Sequence, residues 1–327
     1  MKRLLKIVGI LVALLVVAFL VARTPDTDAA EMRAKYGAAP SQFVRLADGR
    51  TVHLRDEGPR DAPAIILLHG SNADLHTWQA WVDGLKADYR VIRYDQRGHG
   101  LTGAAPDRDY RTERFAEDIG AVADMLGLDR FVLAGNSMGG AIAARYAMDH
   151  PERLTGLALV DAGGAPVKRE GGGNLAFTLA RIPGVNRLAF EIMPRSIIEK
   201  SLTQSVARKE VVTPAVVDRY WELARYPGNR TATLDRFGLG WQMFSPQQVA
   251  AIDVPTLVMW GEEDSLIPFS AAGWYTDHLP AAKLVSYPGI GHLPMEESPE
   301  RSLADLRAWL SGLSPDPALA VAGRDAT

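Results

Sequence analysis

The sequence predicts an α/β fold: a mostly parallel sheet with helices on both faces and a helical cap inserted between two of its strands. Short apolar runs alternate with segments of helical periodicity over residues 41–162 and again over 250–313. The stretch between them, 163–249, keeps a helical pattern and holds no strand-like run. Two of the apolar runs, 64–68 and 131–134, contain no polar residue, as expected of strands covered on both faces.

The chain opens with Lys2, Arg3 and Lys6, then an apolar run over 7–22 that Leu4 and Leu5 extend. As a helix, 4–22 would be about 28 Å long at ~1.5 Å per residue, close to a bilayer core of ~30 Å. The positive charges precede the run, while Asp26 and Asp28 follow it. The positive-inside rule therefore places the N-terminus in the cytoplasm and the rest of the chain outside it. A cleaved signal peptide is the competing reading. The run is long for one and no Ala-x-Ala closes it, so 1–22 is expected to be an uncleaved anchor. Residues 23–40 form a juxtamembrane connector, either a helix over 26–36 begun by Pro25 and Asp26 or a flexible linker.

The first part of the body, 41–162, starts with a hairpin whose strands, 43–46 and 51–54, flank an Asp48-Gly49 turn. The strand at 64–68 ends in His69-Gly70-Ser71-Asn72, and a helical pattern around Trp78, Trp81, Val82 and Leu85 follows. A strand at 90–94 leads into Asp95 and the Gly98-His99-Gly100 loop. Residues 112–126 predict a helix with Phe115, Ile119, Val122 and Leu126 on one face. A strand from Phe131 precedes Gly135-Asn136-Ser137-Met138-Gly139-Gly140, with a helix over 141–150 behind it. A further strand, 157–160, ends at Asp161. The cap, 163–249, is interrupted at Gly171-Gly172-Gly173, Pro183-Gly184 and Pro227-Gly228. The second part of the body, 250–313, reads as strand 256–260, helix 270–278, strand 283–287 and helix 299–310. The Pro/Ala/Gly-rich tail, 314–327, is expected to be disordered.

Composition narrows the function. The formal net charge of −3 leaves no basic footprint for nucleic acid. With no cysteine there is no disulfide framework, thiolate metal site or cysteine nucleophile. His53, His76, His150 and His278 have no neighbours at ligand spacing, so no metal is expected. No Gly-x-Gly-x-x-Gly follows the first strand, so no dinucleotide cofactor is expected either.

What remains is a serine at the apex of a strand–turn–helix. Such a turn is too tight for side chains at its flanks, and Gly135 and Gly139 supply the clearance. A serine hydroxyl needs a base to take its proton and an acid to orient that base. Downstream of Ser137, in the order Ser, Asp, His, stand Asp264 after the strand at 256–260 and His292 in Gly289-Ile290-Gly291-His292. Asp161 is a rival for the acid, read as shaping its loop, and Glu262 and Glu263 are weaker rivals. The backbone N–H groups of Met138 and Ser71 are the candidate oxyanion donors. His69 and His99 read as structural supports of the neighbouring loops. The apolar cap runs 175–180 and 185–193, flanked by Arg181, Arg187, Arg195, Lys200, Arg208 and Lys209, favour an apolar substrate and suggest an acyl channel with a basic, membrane-facing rim, though ordinary helix faces packed on the core would read the same way.

With these residues in view, the chain resembles the α/β-hydrolase superfamily over 41 to about 313. The resemblance rests on Gly-Asn-Ser-Met-Gly-Gly at 135–140, His69-Gly70, the Gly98-His99-Gly100 loop, Asp264 and Gly291-His292. A serine at the elbow argues against the dehalogenase and epoxide-hydrolase branches, which carry Asp there. Together with the N-terminal apolar helix, the elbow is similar to that of the bacterial family V lipases and their membrane-anchored phospholipase A1 members. That resemblance implies an inner-membrane enzyme with a periplasmic catalytic domain, acting on glycerophospholipids or other lipid esters. It implies a Ser137–Asp264–His292 triad with Ser71 and Met138 as oxyanion hole, membrane lipids as surroundings, and a homodimer through the N-terminal helix. The alternatives are the same triad on another bond, as in a C–C hydrolase, lactonase or cofactor-free haloperoxidase, and a binding protein on this fold that does not catalyse.

Overall fold

The computed structural model describes residues 1–168, 185–240 and 242–313. The apolar run 175–180 with Arg181, the glycines at 171–173, the Pro183-Gly184 break and the tail over 314–327 lie outside the described residues.

One eight-stranded sheet organises the body, in the order β1-β2-β4-β3-β5-β6-β7-β8. Its strands are β1 (Ser41–Arg45), β2 (Thr51–Glu57), β3 (Ala64–Leu68), β4 (Arg90–Tyr94), β5 (Phe131–Asn136), β6 (Leu154–Val160), β7 (Thr256–Gly261) and β8 (Ala282–Tyr287). The β1–β2 hairpin and the β2–β4 pair are antiparallel, and every other pair is parallel. The hairpin turns at Gly49, which sits at φ 85°. The all-apolar strands behave as their composition requires: β3 and β5 are buried along their whole length.

Alternate residues of the central strands serve two cores. Ile66, Leu68, Leu133, Leu157, Leu159 and Val258 face one side. There they pack with Phe115 and Ile119 of α4 (Thr112–Met125), Ile142 and Ala143 of α5 (Met138–Asp149), and Tyr275 of α11 (Ser270–His278). Ile65, Leu67, Val132, Ala134, Ala158, Leu257 and Met259 face the other. They meet Trp81 and Leu85 of α3 (Gln79–Leu85) and Leu306 and Trp309 of α13 (Pro299–Leu310). A one-residue slip of any central strand would exchange its two faces, so this double burial fixes the register.

Between β6 and β7 the described cap residues form α6 (Val185–Glu191), α7 (Arg195–Ser205), α8 (Pro214–Ala224), α9 (Asn229–Leu239) and α10 (Pro246–Ala250). The short α12 (Pro294–Glu297) precedes α13. The cap is inserted where the chain leaves the carboxyl end of β6, the edge at which open α/β sheets bind ligands.

At the N-terminus α1 (Lys2–Ala22) has a mean hydropathy of 3.0, none of it is buried, and it is long and apolar enough to cross a membrane. The juxtamembrane helix is real but starts later than the sequence suggested. It is α2 (Ala29–Tyr36), because the Asp28 side chain accepts from the N–H of Glu31 and caps it, while Arg23 has already left the helical region. The connector is tied down at several points. Thr27 donates its N–H to Arg225 O, Arg230 Nε donates to Asp26 Oδ1 at 2.9 Å, and Arg230 Nη1 donates to Thr24 O. Met32 of α2 is buried with Leu101, Leu223 and Tyr226.

Candidate active site

Ser137 sits between the end of β5 and the first residue of α5, at φ 55° and ψ −117°. A non-glycine residue held there is strained by roughly 1–3 kcal/mol, and the surrounding packing must impose it. The glycines explain how. A Cβ on Gly135 would lie 2.2 Å from Gly139 O, and one on Gly139 would lie 2.4 Å from Leu68 O. The turn is therefore folded hard against both the new helix and the end of β3.

That second contact brings the loop after β3 to the serine. A Cβ on Gly70 would fall 3.2 Å from Ser137 Cβ. Ser71, next in the chain, and Met138, the first residue of α5, thus flank the elbow, and the N–H of Met138 belongs to the first helical turn, where amides have no partner within the helix. His69 supports this loop. Its Nε2 accepts from Gln96 N at 3.1 Å, which makes Nδ1 the protonated nitrogen that donates to Gly70 O at 2.8 Å. Burial pushes its pKa down and keeps the ring neutral.

His292 and Asp264 meet behind the elbow, in loops that follow β8 and β7. Nδ1 of His292 lies 2.6 Å from Asp264 Oδ2, and Asp264 Oδ1 accepts from the N–H groups of Leu266 and Ile267 at 2.7 and 3.0 Å. Both side chains are buried. The bond fixes the imidazole with its proton on Nδ1, leaving Nε2 for proton transfer. Asn136 Nδ2 joins this loop to the elbow, donating to His292 O at 3.1 Å and to Val160 O at 3.2 Å.

A family model for the alpha/beta hydrolase fold matches residues 63–299. The chain is an α/β hydrolase. Among its relatives, a bifunctional esterase/perhydrolase of Acinetobacter calcoaceticus is 27% identical over 82% of this chain and 99% of its own. A 2-hydroxy-6-oxononadienedioate/2-hydroxy-6-oxononatrienedioate hydrolase of Comamonas testosteroni is 28% identical over 74% of this chain and 84% of its own. The crystal structure of a bacterial membrane phospholipase A, PlaF, matches at a TM-score of 0.72 with 26% identity, covering 96% of this chain and 99% of that one.

Two features of this hydrolase were not predicted. Asp161, read from the sequence as a loop-shaping rival, lies in the same cluster: Asp161, Asp264 and His292 each bring one polar atom within 4.8 Å of the others. Its Oδ1 accepts from Gly261 N at 2.9 Å. Burial, and then the neighbouring Asp264, push its pKa well up. Nδ1 of His292 and Oδ2 of Asp264 are already engaged with each other.

The second is Glu297, a buried carboxylate. It accepts from the N–H groups of Gly291 and Leu293 on either side of His292, at 3.0 and 3.1 Å. It also accepts from those of Ala207 and Arg208 in the cap, at 2.8 and 3.0 Å. One side chain thereby clamps the histidine loop to the cap. Because every partner is a backbone amide, residue spacing gave no hint of it.

The remaining histidines are structural in their contacts. His99 Nδ1 is bonded to Arg97 O at 3.0 Å, and His53 lies fully buried between Asp95 Oδ2 at 2.7 Å and Ser41 Oγ at 2.8 Å. Of the basic residues read as a cap rim, Arg195 pairs with Asp218 and Glu199, and Arg208 donates to Glu297 O.

Proposed function

We propose that this hydrolase is a membrane-anchored serine esterase that cleaves carboxylic esters of lipids, of the phospholipase A1, lysophospholipase or lipase type. The observation that carries the reading is the 2.6 Å bond between His292 Nδ1 and Asp264 Oδ2, in a loop tied through Asn136 to the strained Ser137 turn. As the Ser137 Oγ–carbonyl bond forms, Nε2 of His292 takes the hydroxyl proton. The N–H groups of Met138 and Ser71 donate to the developing oxyanion. The ester C–O bond then breaks and His292 returns the proton to the leaving alcohol. A water molecule next gives its proton to His292 and its oxygen to the acyl carbon, which releases the fatty acid and restores Ser137. Asp264 steadies the imidazolium throughout.

The anchor is α1, with its basic end in the cytoplasm and the catalytic body on the other side. Likeness to PlaF along 96% of the chain supports lipid as the substrate class. The relationship to a dienedioate hydrolase favours a second reading, the same triad acting on a C–C bond. Purified protein incubated with membrane phospholipids, p-nitrophenyl esters and dienoate diketones separates the two. Release of fatty acid, lost in Ser137→Ala while the variant stays folded, is the expected result. Ester turnover that survives in Ser137→Ala, or turnover of the C–C substrate alone, overturns the reading.

A further inference from the structure

Beside the elbow is a cavity of about 420 Å³ whose apolar wall includes Met138, Ala141, Ile142, Phe115, Phe237 and Leu239. Arg236 of α9 also lines it. Among the other arginines of the body, buried Arg225 donates from Nε to Trp221 O and from Nη1 to Pro25 O, and buried Arg230 pairs with Asp26. Arg90 is held by Asp56, Arg97 by Asp118, Arg93 by Glu57 and Arg219 by Asp74. Arg236 has no carboxylate partner among the described residues. Its Nη2 donates to Asn72 Oδ1 at 2.6 Å and to Ser71 Oγ at 3.2 Å. Its Nε and Nη1 are buried with no hydrogen-bond partner among the described residues.

Leaving charged donors buried and unpaired is expensive, and a packing role would be met as well by an apolar residue. Holding the Ser71–Asn72 loop accounts for Nη2 alone. With Nη2 already engaged, neither forked edge of the guanidinium has both nitrogens free, so the two-pronged grip on a planar carboxylate is closed. A single bond from Nε or from Nη1 to an oxygen of an anion remains open. The position matters too: Ser71 follows Gly70, which abuts Ser137, so an anion on Arg236 lies a short way from the scissile bond.

We infer that Arg236 is the anion-recognition point of the substrate cleft, taking a phosphate carried on the ester substrate close to the bond that is cut. This rests on the reading of Ser137 as the nucleophile of an ester hydrolase. It makes the enzyme prefer phosphate-bearing glycerol esters to neutral ones of the same acyl length.

The test pairs dihexanoylphosphatidylglycerol with dihexanoylglycerol, which share their acyl esters and differ in the anionic phosphoglycerol headgroup. The full chain is expected to prefer the first in kcat/KM. Arg236→Gln should lower that ratio about tenfold or more, mainly through KM, and Arg236→Lys should recover part of it because the charge persists. Equal losses on both esters, with the ratio unchanged, would reduce Arg236 to a loop support and overturn the inference. A binding arm stands apart from turnover. Calorimetry of dihexanoylphosphatidylglycerol with Ser137→Ala, alone and combined with Arg236→Gln, should show an affinity loss of about tenfold in the double variant. Equal affinities overturn the inference, whereas an absence of ester turnover by the parent with this affinity loss intact defeats only the hydrolase reading.

Discussion

Asn136 Nδ2 donates to the carbonyl of His292 at 3.1 Å, so the residue before the elbow serine holds the loop that carries the imidazole. The same amide holds Val160 O at 3.2 Å, at the end of the neighbouring strand. Asn136→Ala strips two buried carbonyls of this donor, and the expected cost is about 1–3 kcal/mol in urea unfolding. Ester kcat should fall about tenfold or more with little change in KM, because the imidazole is misplaced while the cleft is intact. An unchanged kcat in a destabilised variant would show that the loop does not need this bond to place His292.

Asp161 sets a pH dependence. Its pKa is raised in the fold, so above the ordinary carboxylate range the folded state holds a proton that the unfolded state has lost. Stability from this group therefore falls as pH rises through that interval. Asp161→Asn keeps the shape and removes the titration. Relative to the parent, the variant should gain in Tm between pH 5 and pH 8, read by thermal melts at both values. A constant difference across that interval would contradict the assignment.

Two glycine substitutions are expected to move stability in opposite directions. Gly135→Ala drives a Cβ to 2.2 Å from Gly139 O, a backbone atom that cannot step aside. It should cost about 3 kcal/mol or more, or prevent folding. Gly120 lies inside α4, where a Cβ meets only the Tyr146 ring at 3.9 Å. Gly120→Ala should stabilise by about 0.5–1 kcal/mol in the same urea assay.

The juxtamembrane helix can be tested separately from the body. Met32 is 2% exposed, and Lys35 Nζ and Tyr36 Oη both donate to Glu222 of the cap. Met32→Ala should ease local opening by about 2 kcal/mol, which amounts to roughly 30-fold faster trypsin cleavage after Arg33 and Lys35. Esterase activity and global unfolding should move far less.

Much of this was legible in the sequence. The apolar runs 64–68 and 131–134 read as strands buried on both faces because they are short and hold no polar residue, and strand ends then made Ser137, Asp264 and His292 the candidates. The start of the juxtamembrane helix was misplaced because Pro25 and Asp26 mimic a helix entry that Asp28 in fact provides. Asp161 could be ranked against Asp264 but its company could not be foreseen, since it depends on how β6 and β7 end side by side. Arg236 is one of many cap cations in the sequence. Only the fold shows that it is buried and unpaired while Arg219 meets Asp74.

Helix α9 carries Arg230 near one end and Arg236 near the other, eleven residues in all. The first is stitched to Asp26 and Thr24 of the connector, and the second to Ser71 beside the Ser137 turn. One stiff helix thus fixes the connector and the Ser71 loop to points about 9 Å apart along its axis, so neither can shift far along that axis without the other.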